Sequence, residues 1–187
     1  MPLQEFSEQV EICEEIIRGI RPGKLNRSLV WDLLSNALRR AELEGKYEDA
    51  VARCYSAIEK WGAFILKNKH GISSSDARPE LLPESIRKEY IKRYNIRYEV
   101  GDGRVEERIS FGLGATYRLL NILGDPLGRR FKERADITRH LAARNETILA
   151  HGTVPATSKD FYALFKDALF LLDCSKEDLV RFPTFPL

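Results

Sequence analysis

The sequence predicts a predominantly helical protein built around one core, and three observations carry that prediction. A chain of 187 residues, 43% hydrophobic and 31% charged, can bury roughly 70% of its unfolded surface as one domain and is short for two. Apolar residues recur at spacings of three and four through most of it, the period of one helical face. Glycine and proline clusters then cut the pattern into segments of ordinary helix length.

Phe6, Val10, Cys13, Ile16, Ile17 and Ile20 form the first such face, broken by Gly19 and Arg21-Pro22-Gly23. Between Leu25 and Leu43 the set Leu29, Val30, Leu33, Leu34, Ala37, Leu38 and Ala41 keeps helical spacing. Gly45 stops it, and a third helix from about Tyr47 to Leu66 completes a helical hairpin. Ser73-Ser74-Ser75, Pro79 and Pro83 mark a loop before a helix over Glu84 to Tyr94. Residues 96–109 alternate around Gly101-Asp102-Gly103, the pattern of a short two-stranded excursion or an ordered loop. Helical spacing returns from Ala115 to Leu123 and ends at Gly124-Asp125-Pro126. A basic stretch follows, and Asp136 then reads as the N-cap of a helix through Ile137, Leu141, Ile148 and Leu149, with Gly152 beyond its end. Thr157 to Asp160 has the form of a capping box for a last long helix, Phe161 to Leu172. Ser175 and Asp178 start a terminal turn before Phe182-Pro183-Thr184-Phe185-Pro186.

Composition narrows the function classes. No run of about 18 uncharged apolar residues occurs, and the N-terminus carries acids where a signal peptide needs basic residues. Cys13, Cys54 and Cys174 are odd in number, far apart and without a C-x-x-C pair, which fits thiols in a reducing compartment rather than a zinc site. The expectation is a cytoplasmic protein with no membrane partner. Thirty basic against twenty-eight acidic residues leave a net charge of +2, too little for whole-molecule attraction to nucleic acid. The distribution is uneven, however. Glu5, Glu8, Glu11, Glu14 and Glu15 face Arg18 alone in the first twenty residues, whereas Arg129, Arg130, Lys132, Arg134, Arg139 and Arg144 are opposed only by Glu133 and Asp136.

Arg144 and His151 are seven residues apart, so a continuous helix places them within about 20° of one face and about 10.5 Å apart along its axis. A guanidinium grips phosphate oxygens with a permanent charge, and an imidazole titrates near neutrality. Together they suit phosphodiester chemistry, and Asn145 adds a neutral group able to orient either. The same pair also fits a solvated face whose histidine complements the helix C-terminus.

The string Arg144-Asn145-Glu146-Thr147-Ile148-Leu149-Ala150-His151-Gly152 resembles the HEPN ribonuclease motif, an arginine and a polar residue followed by a histidine. Two further blocks, Asn36 to Arg40 continuing through Gly45 to Tyr55 and Glu59, and Gly112 to Leu120, resemble the C-terminal HEPN domain of CRISPR-associated CARF–HEPN proteins of type III systems. The resemblance implies an all-α, HEPN-type helical bundle and a metal-independent endoribonuclease that cuts single-stranded RNA, needs no cofactor, and leaves 2′,3′-cyclic phosphate ends. It implies a homodimer, because the motif helices of two protomers form one composite site, with Arg144, Asn145 and His151 as its catalytic residues. It also implies a CARF sensor that binds cyclic oligoadenylate. Only thirty-five residues precede Asn36, so the expectation is a single HEPN domain over 1–187, with that ligand acting only through a CARF domain absent from this chain. Two other readings stand beside this one: a catalytically silent helical module for RNA binding or dimerisation, and a HEPN toxin held by a nucleotidyltransferase partner.

His140, four residues before Arg144, can share the motif face. With Arg139, Arg134 and Arg130 it is the candidate set for contacting RNA phosphates, although such a run is commonly a solvated surface. A metal site on His140 and His151 lacks a third ligand, since Glu146 points elsewhere. His70, before Gly71, fits ordinary helix-end chemistry. Arg39, Arg40, Arg53, Tyr55 and Glu59 either fix the helical hairpin as a polar network or edge the RNA site; the structural role is the expected one. Trp31, Trp61, Phe161, Tyr162, Phe165 and Phe170 are expected in the core or at a dimer interface.

Overall fold

The computed structural model describes residues 7, 8, 10, 11, 14, 17, 18, 26–99, 105–145 and 153–179. Helices dominate, in the order α1 (Arg27–Glu42), α2 (Tyr47–His70), a 3₁₀ turn (Pro79–Leu81), α3 (Glu84–Tyr94), strands β1 (Asn95–Glu99) and β2 (Val105–Ile109), α4 (Leu113–Ile122), α5 (Pro126–Glu133), α6 (Ile137–Asn145) and α7 (Ser158–Leu172). The fold is all-α in class, as the periodicity predicts. The contacts divide it into two compact units, Met1–Trp61 with Arg134–Leu187, and Gly62–Glu133.

In the first unit, the described residues before Arg21 are helical, and Arg18 donates to Glu14 one turn earlier at 2.9 Å; Phe6, Cys13, Ile16, Gly19 and Ile20 lie outside the described residues. Asn26 caps α1 by accepting the Leu29 N–H at 2.9 Å, replacing a bond that the helix cannot make to itself. The predicted apolar stripe is the buried one: Val30, Leu34, Ala37, Leu38 and Ala41 from α1 lie in the core with Ala50, Val51, Cys54, Ala57 and Ile58 from α2. Gly45 turns the chain between these helices at φ +63°, a conformation that costs glycine nothing and strains residues with a Cβ. Around that turn Glu44 takes Arg39 at 2.6 Å, Lys46 at 2.8 Å and Arg40, while Asp49 takes Arg53 at 3.1 Å. Arg40 Nε also lies 2.9 Å from Asp49, an ion pair without hydrogen-bond geometry. Hydrogen bonding from Lys46 and then from Arg40 holds the Glu44 carboxyl down to about 2, against some burial that works to raise it. The hairpin network expected of these arginines is present. Trp31 and Trp61 meet edge-to-face at 5.8 Å.

α7 begins with the predicted capping box. Asp160 N–H donates to Thr157 Oγ1 at 3.3 Å, and Thr157 N–H donates to Asp160 Oδ2 at 2.9 Å. Phe161 and Phe165 are core residues, whereas Tyr162 and Phe170 are exposed. Ser175 N–H donates to Asp178 at 2.7 Å, closing the expected turn; residues 180–187 lie outside the described set.

The second unit contains two departures from the expected elements. α2 continues to His70 rather than stopping near Leu66, because Leu66, Ile65 and Ile72 still find a core there. The basic stretch holds a helix, α5, that its charge conceals. Pro126 opens it and Asp125 Oδ1 accepts the Leu127 N–H at 2.9 Å, a proline-plus-cap start. His70 and Lys69 reach the same Asp125 carboxylate at 3.3 and 3.4 Å. Burial works to raise that carboxyl, but the Leu127 N–H, His70 and Lys69 hold it below the ordinary range. β1 and β2 pair antiparallel, Asn95 opposite Ile109 through Glu99 opposite Val105; the region is a two-stranded excursion, and Gly101-Asp102-Gly103 lies outside the described residues. No helix among the described residues is long and apolar enough to cross a membrane.

Candidate active site

α6 starts directly after Asp136, with Ile137 and Leu141 buried one turn apart, and it packs against α7. That packing places an acid, Asp167 of α7, only 1% exposed in an otherwise apolar stripe. A carboxylate out of water needs a partner for each oxygen, and Asp167 has both. Arg134 Nε donates to Oδ1 at 2.7 Å, and His140 Nδ1 lies 2.6 Å from Oδ2. With Asp167 ionised, Nδ1 is the donor and Nε2 is the nitrogen left for other chemistry. The Arg134 guanidinium also covers the Phe170 ring, 4.8 Å from its centroid. Two of the candidate RNA contacts are thus tied into the fold around one buried charge.

One turn beyond His140, in the last described turn of α6, Arg144 is half-buried. Its guanidinium carbon sits 4.3 Å from the centroid of the Tyr55 ring on α2. Burial, and then the negative charge of Glu59, push the Tyr55 phenol up, with Arg144 opposing them. Tyr55 therefore belongs beside the motif as well as in the hairpin. Arg139 is directed elsewhere: its side chain is 73% exposed and pairs with Asp136 at 3.1 Å. Arg130 lies on α5, in the other compact unit. Asn145 ends α6, its side chain not being described, and His151, Gly152 and the intervening residues 146–150 lie outside the described residues. Further along the chain, the Ala156 N–H donates to the Glu48 carboxylate of α2.

Asp167 is the residue that sequence reasoning missed. Its signal was available: it lies three residues after Leu164 and four before Leu171, an acid at core spacing on an apolar helix face.

Taken together, the helical fold and this motif helix define a HEPN-type bundle. The family model described as the Csm6 HEPN domain matches residues 21–174. The chain belongs to that family, which is CRISPR-associated, and membership points to ribonuclease chemistry. No curated protein and no solved structure matches the chain.

Proposed function

We propose that the protein is a metal-independent endoribonuclease of type III CRISPR antiviral defence, acting in the cytoplasm on single-stranded RNA through a site that two copies of the chain complete. The observation that carries this reading is the placement of Arg144. It lies in the last described turn of α6, half-buried and stacked on Tyr55, seven residues ahead of His151 within the matched family region.

One copy offers a single arginine and a single histidine, whereas two motif helices around a twofold axis offer two of each to one groove. In this reaction the RNA 2′-hydroxyl attacks the adjacent phosphorus and the bond to the 5′-oxygen breaks. The products are a 2′,3′-cyclic phosphate and a 5′-hydroxyl. Arg144 stabilises the charge that builds on the phosphoryl oxygens, and His151 transfers a proton or stabilises the departing oxygen. Asn145 orients them. His140, with Nδ1 engaged by Asp167, is assigned to an RNA phosphate through Nε2. Arg139 is assigned to guiding the strand, and Arg134 to supporting His140 through their shared Asp167 carboxylate. Single-stranded RNA suits a groove that reads backbone charge and unpaired bases. The CRISPR-associated family match favours this reading over a toxin.

The test is cleavage of an end-labelled single-stranded RNA with a chelator present. Arg144→Ala is expected to slow cutting by about 10²–10³-fold, and His151→Ala by roughly 10²–10⁴-fold. Equal cutting by parent and variants, or cutting abolished by the chelator, overturns the proposal.

A further inference from the structure

α7 covers the core of the first unit with Phe161, Leu164 and Phe165, but its outer side is not simply polar. Tyr162 and Phe170 are 48% and 39% exposed there, and the exposed Lys159 and Lys166 stand with them. Tyr162, Lys166 and Phe170 follow at intervals of four residues, so they climb one side of the helix over about 12 Å. Both rings are held in place. Tyr162 meets the buried Phe161 edge-to-face at 4.9 Å, and the Arg134 guanidinium lies 4.8 Å from the Phe170 centroid. His140 of the motif helix borders this side, joined to it through Asp167. The helix has two acids, and both are engaged: Asp167 holds Arg134 and His140, and Asp160 closes the capping box with Thr157.

We propose that the outer side of α7 is a track for single-stranded RNA beside the motif helix, with Tyr162 and Phe170 stacking on unpaired bases and Lys159 and Lys166 taking phosphates. This rests on the ribonuclease reading and deepens it by naming how the strand is recognised. Every base has a π-face, so aromatic rings interleaved with cations hold a strand without reading its sequence. A duplex keeps its bases stacked on one another and cannot use the rings. Charge favours RNA over a second copy of the chain as the occupant. A twofold interface sets a patch against itself, which here crowds Lys159 and Lys166 with their own counterparts, whereas a polyanion neutralises them.

The test measures binding of a labelled 2′-O-methyl oligoribonucleotide, which has bases and phosphates but no 2′-hydroxyl to attack, beside an abasic strand of the same length and a duplex. Tyr162→Leu and Phe170→Leu are each expected to weaken binding of the single strand about 10-fold, the effect of losing one stacked base. Both are expected to leave the abasic strand and the duplex within about twofold of the parent. Lys166→Gln is expected to weaken single and abasic strands alike, and to lower the slope of log affinity against log salt by about 0.7. Tyr162→Leu carries the comparison alone if Phe170→Leu, which also releases Arg134, does not fold. Parent-like single-strand affinity in the leucine variants, an equal loss on the abasic strand, or no binding by the parent overturns the track. So does a leucine variant that sediments as a monomer where the parent is a dimer, since the face then joins two copies. Binding needs no cleavage, so the two readings fail separately. Equal cutting by the parent and Arg144→Ala overturns the ribonuclease reading, whereas ring-independent binding beside an inactive Arg144→Ala overturns the track alone.

Discussion

Asp167 joins segments 27 and 33 residues away in sequence, through His140 and Arg134. Such a charge is retained at a cost in desolvation, and removing it leaves its partners uncompensated. Asp167→Asn is therefore expected to destabilise the protein by about 2–3 kcal/mol, somewhat below the full cost of breaking a buried pair because Arg134 and His140 keep partial access to water. Chemical denaturation of parent and variant measures it, and a difference below about 0.5 kcal/mol would contradict this account. Residue by residue, the sequence was most informative about Arg144 and His140, whose short spacing on one helix is local information. Asp167 and Tyr55 were harder to place. Their partners come from distant segments, and a lone polar residue near an apolar stripe carries no mark of what it meets.

At the scale of elements, boundaries set by local chemistry were readable in advance: the helix from Glu84, the capping box at Thr157 and the turn at Gly45 each depend on residues within four positions. α5 was not readable, because the lysine and arginines that its exposed side needs outnumber the few residues that bury. One of those few is Gly128. A Cβ there would stand 2.1 Å from the backbone nitrogen of Asn121 and 2.5 Å from the carbonyl carbon of Leu120, so α5 rests backbone to backbone on the end of α4. A backbone cannot rotate away as a side chain can. Gly128→Ala is accordingly expected to lose about 3 kcal/mol, the upper end for overpacking, despite replacing glycine with a better helix former. A thermal midpoint equal to or above the parent's would refute the close packing.

For the molecule as a whole, the net charge of +2 conceals an acidic beginning and a basic approach to the motif, and the proposed site needs two copies of the chain. Specific activity is therefore expected to fall on dilution, over the same concentration range in which sedimentation shows two copies becoming one. Activity per protomer that persists once the protein is monomeric would rule out a composite site. The all-α class was legible at this scale because the three-to-four spacing runs through most of the chain. The division into Gly62–Glu133 and the remainder was not, since α2 crosses that boundary as one uninterrupted helix and gives it no mark in the sequence.

Glu48 and Tyr55 are seven residues apart on α2, two turns and about 10.5 Å along one face, and they hold Ala156 and Arg144 respectively. One rigid element therefore sets the distance between the arginine that opens the motif and a point five residues beyond His151, so a change that shifts or bends α2 moves both anchor points together.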